Sequence, residues 1–201
     1  MKLKLEERRE QILEAAVRCF VKRGFHQTTM QDISKAATIS PALIYRHFES
    51  KEALIKALIE SHEAEWLAKF ESVRAANNFS LMLEWLFEKN DTGEKEEAVI
   101  LLEVLAEALR NETIARLVRR DGEVLSGGLT DLIEQAQVAG QIDASLSAAE
   151  TAEILLALSD GLMMRLALTD EHDPNDYQVL RRTLMVLVNR FLRLPENKEQ
   201  K

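Results

Sequence analysis

Apolar residues recur three or four positions apart along almost the whole chain, with charged residues between them. The first such segment predicts an amphipathic helix from Glu6 to Arg23, and Gly24 is typical of the residue that ends a helix in a left-handed turn. Cys19 falls on its apolar stripe. We therefore expect Cys19 to be a core thiol and not a reactive one.

Two short helices are predicted next, within the segment TTMQDISKAATISPALIYRHFESKEAL. Thr29 with Asp32 forms a capping-box pattern and predicts a helix of about two turns. Ser40 before Pro41 predicts another start, because a hydroxyl caps the helix and proline lacks only an N–H that the first turn does not use. This helix spans about seven residues, since a longer apolar pattern starts near Lys51.

The rest of the chain is also predicted to be helical. Beyond the helix that starts near Lys51 and passes Phe70, we expect helices at 79–89, 95–109, 112–139, 147–168 and 175–193, with breaks at NDTG, AGQID and TDEHDPND. Ser147 with Glu150, and Asp173 with Pro174, are further start signals. Residues 196–201 form a polar tail. The expected fold is all-α with about nine helices.

Two short helices joined by a tight turn and packed on a third are typical of the helix-turn-helix arrangement, whose second helix lies in the DNA major groove. Ile44 and Phe48 are spaced to pack inward beside Ile33 and Ala37. The residues that remain for the free surface are Ser40, Pro41, Ala42, Leu43, Tyr45, Arg46 and His47. Such side chains can reach phosphates, guanine edges and thymine methyl groups. The alternative is a helix-turn-helix scaffold without an operator, with Arg46 merely solvated.

Charge and composition indicate the kind of partner and the cellular location of the protein. The net charge is −8, yet the first 50 residues hold nine Lys or Arg and six acidic residues, so a small basic end joins an acidic body. Thr29 and Lys51 stand at predicted helix N-termini, where anions bind. The single cysteine, the charged start MKLKLEERRE and the lack of a long apolar segment predict a cytoplasmic protein that neither spans nor crosses a membrane.

The run from the first helix through GF..TTMQDI..A..IS.ALIYRHFESKEAL resembles the DNA-binding domain of the TetR family of bacterial transcriptional regulators. The resemblance implies an amino-terminal three-helix domain, here residues 1–50, that binds a palindromic operator in double-stranded DNA. It also implies a carboxy-terminal helical bundle, here 51–195, that forms a homodimer and binds a small-molecule effector. In that family the residues matching Thr29, Tyr45, His47 and Lys51 contact the DNA backbone, while those matching 40–43 and 46 vary with the operator.

Two residues depart from the family pattern. Thr38 stands where the turn usually has glycine, and threonine is disfavoured in a left-handed conformation. Leu43 stands where threonine or serine is common, which shifts any contact there from hydrogen bonding towards apolar packing. We therefore expect a strained or reshaped turn, and the operator sequences of relatives cannot be transferred to this chain.

Candidate ligand-binding residues in the carboxy-terminal region are His62, Trp66, Phe70, Trp85, Glu103 and Met163. For most of them a purely structural role stays open as the alternative. His62 could be a core or domain-interface hydrogen bonder, the aromatic residues could be core, and Glu103 with Glu107 and Arg110 could form a salt-bridged edge or bind a cation.

The last two predicted helices are apolar over more than one face, which favours a dimer interface. The candidate interface residues are Leu155, Leu162, Leu184, Leu187 and Phe191. A fully internal bundle is the alternative.

No phosphate-binding loop, nucleophile motif or metalloprotease motif occurs, so we expect no enzyme, no catalytic residues and no cofactor. EHDPND resembles a carboxylate cluster, but its Asp-Pro pair already has a capping role, so we expect no metal site. The sequence predicts a ligand-responsive repressor. The alternative is a regulator controlled by a protein partner or by no ligand.

Overall fold

The computed structural model describes residues 2–87, 94–169 and 175–193, and this part of the chain contains nine helices. They are α1 Lys2–Gln27, α2 Met30–Ala37, α3 Pro41–His47, α4 Lys51–Ala76, α5 Ser80–Phe87, α6 Glu94–Ala108, α7 Glu112–Val138, α8 Ala148–Ala167 and α9 Asn175–Leu192. The five helices predicted beyond residue 78 agree with α5–α9 to within two residues at each end. The break at NDTG, most of EHDPND, the Asp173–Pro174 start and the tail 196–201 lie outside the described residues.

The predicted helix starts at Thr29, Ser40 and Ser147 are confirmed, because each side chain accepts a hydrogen bond from a backbone N–H of the helix that follows. The end of the first helix differs from the prediction. Gly24 leaves the helical conformation with φ 77° and ψ 160°, but a further turn of α1 follows it as far as Gln27. Gly24 therefore kinks α1 and does not end it.

The chain packs into two compact units. The first contains residues 1–64 and 96–121, and the second contains 65–95 and 122–201. Helices α4, α6 and α7 each contribute residues to both units. The two packing units therefore do not coincide with the predicted functional domains, which divide after residue 50. The functional division stays a prediction.

The first unit has an apolar core formed by α1, α2 and α3 with parts of α4, α6 and α7. Its buried members include Ile12, Ala15, Phe20, Phe25, Leu54 and Ile114. Ile33, Ala37, Ile44 and Phe48 belong to the same core, which confirms the predicted inward face of the two short helices. Cys19 packs against this core as predicted, and burial raises the pKa of its thiol.

The second unit has a separate core, which involves α5, α8 and α9 with parts of α4 and α7. Its fully buried side chains include Phe79, Phe87, Met82, Leu83, Leu129 and Ile133. Helices α4 and α7 pass very close at Gly128, where an added Cβ would lie 2.4 Å from the ring of Phe70. None of the helices within the described ranges is long and apolar enough to cross a membrane.

Candidate nucleic-acid interface

Thr28 and Thr29, the two residues before α2, have different structural roles. The hydroxyl of buried Thr28 donates to the backbone carbonyls of Gly24 and Cys19, at 2.8 and 3.1 Å, and so ties the start of α2 to α1. Thr29 is exposed and caps α2, because its hydroxyl accepts from the N–H of Asp32 and donates to the Asp32 carboxylate. The hydroxyl and backbone N–H of Thr29 lower the pKa of Asp32. The Thr29 side chain is thus fixed at an exposed helix N-terminus.

The turn between α2 and α3 contains a left-handed residue although it lacks glycine. Thr38 adopts the left-handed conformation, with φ 56° and ψ 38°. Two side chains hold the backbone on either side of it: Gln11 of α1 donates to the Ala37 carbonyl at 2.8 Å, and buried Ser34 donates to the Ile39 carbonyl at 2.6 Å. Thr38 therefore has the strained conformation expected for a threonine at this position.

Helix α3 presents a mixed polar and apolar face to solvent. Its cap Ser40 and its residues Pro41, Ala42, Tyr45 and Arg46 are exposed, and the exposed fraction of Tyr45 is 55%. A tyrosine hydroxyl, a guanidinium and a small methyl group thus share the outside of one short helix whose Ile44 is buried. This is the combination that phosphate and base-edge contacts require.

Two predicted surface residues of α3 are less exposed than expected. Leu43 is half-buried, because it packs against the core of the first unit, and His47 is also half-buried. At the end of the same helix, the guanidinium of Arg9 lies 4.8 Å from the centre of the Phe48 ring. Sequence reasoning missed Arg9, since only the fold brings the first helix beside this end of α3.

Lys51 makes internal contacts that the sequence did not indicate. Its ammonium group donates to the carbonyl of Phe25 at 2.7 Å and to that of His26 at 3.4 Å, and lies 4.4 Å from the centre of the Phe25 ring. It stands at the first residue of α4, as predicted. An ammonium has three N–H donors, so one remains for an anion.

The candidate ligand-binding residues are distributed over both units. Trp66, Phe70, Trp85 and Met163 belong to the second unit, whereas His62 and Glu103 belong to the first. Phe70 is 3% exposed and lies in the core, and Trp66 and Trp85 pack against the same core. A cleft beside it, lined in part by Val73, Asn77 and Gln141, has a volume of about 10 Å³, enough for about one water molecule.

His62 and Glu103 have specific protein partners. His62 is exposed and therefore not a core residue, which corrects that alternative, and its Nδ1 lies 3.3 Å from the Asp121 carboxylate. The Glu103 carboxylate accepts a hydrogen bond from the Phe25 N–H at 2.7 Å. Both contacts join parts of the chain that are distant in sequence.

The candidate dimer residues divide into core and surface. Leu155 and Leu162 are 0% and 5% exposed within the single chain, so they are core residues that offer little surface to a partner. Leu184 is half-buried against the core, while Leu187 and Phe191 are exposed. Other exposed apolar side chains on α8 and α9, or directly after α8 in the case of Leu168, are Ile154, Met164, Leu168, Val179, Leu180 and Val186.

The fold and this surface define an all-α, helix-turn-helix DNA-binding protein. Residues 12–58 match the family described as bacterial regulatory proteins of the tetR family. Residues 75–192 match the carboxy-terminal domain of BetI-type transcriptional repressors. The chain belongs to the TetR family of transcriptional regulators.

Two of the similar proteins match most of this chain, and a third matches a shorter part of it. The HTH-type transcriptional regulator UidR of Escherichia coli K12 is 30% identical over 164 residues, which are 81% of this chain and 83% of UidR. TtgR of Pseudomonas putida is 48% identical over 59 residues, or 29% of this chain and 28% of TtgR. The structure of Salmonella enterica GusR is similar with a TM-score of 0.72 and 26% identity, covering 93% of this chain and 96% of GusR.

Proposed function

We propose that this TetR-family regulator is a repressor that binds a palindromic operator as a homodimer and is released by a small-molecule effector. The observation that supports DNA binding most strongly is the exposed face of α3, held on a turn that Gln11 and Ser34 fix by hydrogen bonds. The match to BetI-type repressors supports the repressor assignment.

In this proposal α3 lies in the major groove of double-stranded DNA. Its exposed residues Ser40, Pro41, Ala42 and Arg46 face base edges. Leu43 is half-buried against the core, so only the exposed part of its side chain is available for an apolar contact with DNA. The residues that we propose as phosphate contacts are Thr29, Tyr45, His47 and Lys51. Phosphate contacts set the register, whereas base contacts set the sequence preference.

The exposed apolar side chains of α8 and α9 support a two-fold dimer interface. Leu180, Leu187 and Phe191 lie seven and four positions apart on α9, so they share one face of the helix, and their exposed fractions are 41%, 56% and 40%. Apolar surface of this extent is unfavourable in water, and a second copy of the chain would bury it.

The effector is the least supported part of the proposal. Trp66, Phe70, Trp85 and Met163 stay candidates for an effector site within the second unit, but Phe70 is already packed in the core. An effector that contacts Phe70 must therefore displace core packing when it enters. A regulator controlled by a protein partner or by no ligand stays the second candidate function.

We propose no enzymatic activity and a cytoplasmic location. UidR, which matches most of this chain, is a transcriptional regulator, which supports a regulatory role. The location follows from the proposed partner, because operator DNA lies in the bacterial cytoplasm.

Selection from a pool of random-sequence DNA duplexes by the full-length protein tests the proposal. We expect one palindromic sequence with half-sites about 34 Å apart, or a simple multiple of that spacing, bound at least 1,000-fold more tightly than unrelated DNA at about 150 mM salt. Recovery of no preferred sequence, or of a sequence without two-fold symmetry, would contradict the proposal.

A further inference from the structure

The kink in α1 leaves one residue held by charged side chains at both ends of its backbone. Because Gly24 is not helical, the N–H of Phe25 leaves the direction of the α1 axis, and it donates to the Glu103 carboxylate at 2.7 Å. The carbonyl of the same Phe25 accepts from the Lys51 ammonium at 2.7 Å. A carboxylate from α6 therefore holds the N–H of Phe25, and an ammonium from α4 holds its carbonyl.

The Phe25 side chain adds to the rigidity of this arrangement. It is 4% exposed and its ring centre lies 5.3 Å from that of Phe20, in the core of the first unit. The Lys51 ammonium stands 4.4 Å from the centre of the Phe25 ring, a cation–π contact. The position of the ammonium is therefore set by Phe25, through its carbonyl and its ring.

A second glutamate of α6 reaches the same turn. The Glu107 carboxylate lies 3.6 Å from Nε2 of His26, and Glu107 is 7% exposed. Glu103 and Glu107 are four residues apart, so they lie on one face of α6. This face of α6 therefore holds the end of α1.

Helix α6 is also anchored at its other end. Lys95, near the start of α6, donates to the carbonyl of Thr169 at 2.9 Å. Lys95 and Thr169 belong to the second unit, whereas Glu103 belongs to the first. One helix therefore has hydrogen bonds within both units.

We propose that Glu103 is a positioning residue for operator binding: it fixes the Phe25 backbone, and Phe25 in turn holds the Lys51 ammonium where it contacts a DNA phosphate. This inference rests on the proposed function. Removal of the Glu103 carboxylate leaves the buried Phe25 N–H without its acceptor, so the turn shifts and Lys51 loses its alignment. Because Glu103 is on α6, displacement of α6 would change operator affinity by the same route.

A double-mutant cycle with the selected palindromic duplex tests this. We expect Glu103→Ala to weaken binding roughly 3- to 30-fold, the range for residues in a coupling network. It should also lower the salt slope by about one, as Lys51→Ala does, because both remove one phosphate contact. In the Lys51→Ala background, Glu103→Ala should have no further effect. Glu103→Gln, which keeps an acceptor oxygen, should bind nearly as the original protein does.

The control is Glu96→Ala, which removes an exposed carboxylate from the same helix and should leave affinity and slope unchanged. Circular dichroism melting confirms folding, and Glu103→Asp, whose shorter side chain cannot reach Phe25, replaces Glu103→Ala if that variant does not fold. Unchanged operator affinity in Glu103→Ala would overturn the inference but not the proposed function. So would a loss of affinity on Glu103→Ala that is equal in the original protein and in the Lys51→Ala background. Failure of the unaltered chain to select any duplex would overturn the proposed function itself.

Discussion

Thr38 shows that a residue that departs from the motif can still adopt a left-handed conformation. A left-handed conformation costs a residue with a Cβ about 1–2 kcal/mol, and Thr38 adopts it. The hydrogen bonds of Gln11 and Ser34 offset this cost at the neighbouring carbonyls. The sequence predicted the strain, because the turn position is evident from the two short helices. It did not predict Gln11 as a partner, because 26 residues separate Gln11 from Ala37.

Thr38→Gly should therefore stabilise the protein. Glycine adopts the left-handed conformation without strain, but its unfolded chain has more freedom, so we expect a net gain of about 0.5–1 kcal/mol in the free energy of unfolding. Chemical denaturation measures it. The matched control is Thr113→Gly in α7, where the same exchange lies in a helix and should destabilise. A loss of stability in Thr38→Gly would show that the threonine side chain contributes more than its strain costs.

Features that depend on residues close in sequence could be predicted from the sequence. Thr29 and Ser40 cap the predicted helices because their partners lie three residues away. Lys51 and Glu103 were assigned to DNA and ligand from their position in the pattern, yet both contact Phe25 in the structure. No local signal indicates such contacts, since the fold alone brings α4 and α6 to the end of α1.

At the scale of elements, periodicity and capping predicted the helices well, but not how closely they pack. Gly127 and Gly128 are adjacent in α7 and look equivalent in the sequence. At Gly128 an added Cβ would lie 2.4 Å from the Phe70 ring, whereas at Gly127 it would meet nothing within 4 Å. Only Gly128 is therefore needed for the close approach of α4 and α7.

Alanine substitution at these two glycines should have opposite effects. We expect Gly128→Ala to lower the free energy of unfolding by about 1–2 kcal/mol, because overpacking outweighs the gain in helix propensity. Gly127→Ala should raise it by about 0.5–1 kcal/mol, since it gains only the propensity. Urea denaturation of both variants measures the difference. Equal effects would mean that Phe70 yields easily to the added methyl group.

At the scale of the whole molecule, helices α4, α6 and α7 each contribute to both compact units, so the division of the chain cannot be placed at one residue. The sequence located the helix-turn-helix correctly, because its capping residues and motif are local. It could not separate core from surface on α8 and α9, since both faces are apolar. The structure assigns Leu155 to the core and leaves Leu187 exposed.

Leu187→Glu should convert the dimer to a folded monomer. Leu187 is 56% exposed in the single chain, so a charge there costs little in the core but is buried against the partner copy in the proposed dimer. Sedimentation velocity measures the mass. The control is Leu109→Glu, at a residue directly after α6 that is 87% exposed and outside the proposed interface, and this variant should stay dimeric. A Leu187→Glu protein that sediments as a dimer would contradict the interface assignment.

The central claim is that the exposed face of α3 recognises the operator, and the most direct test is the ratio of affinities for the selected duplex and for unrelated DNA. In the double variant Tyr45→Ala, Arg46→Ala, both changes fall on exposed residues, so the fold should be unaffected. We expect this ratio to fall at least about 5-fold, since loss of the base contact proposed for Arg46 costs about 1–3 kcal/mol. Lys35→Ala, at an exposed cation of α2, should preserve the ratio. An unchanged ratio in the double variant would contradict the claim.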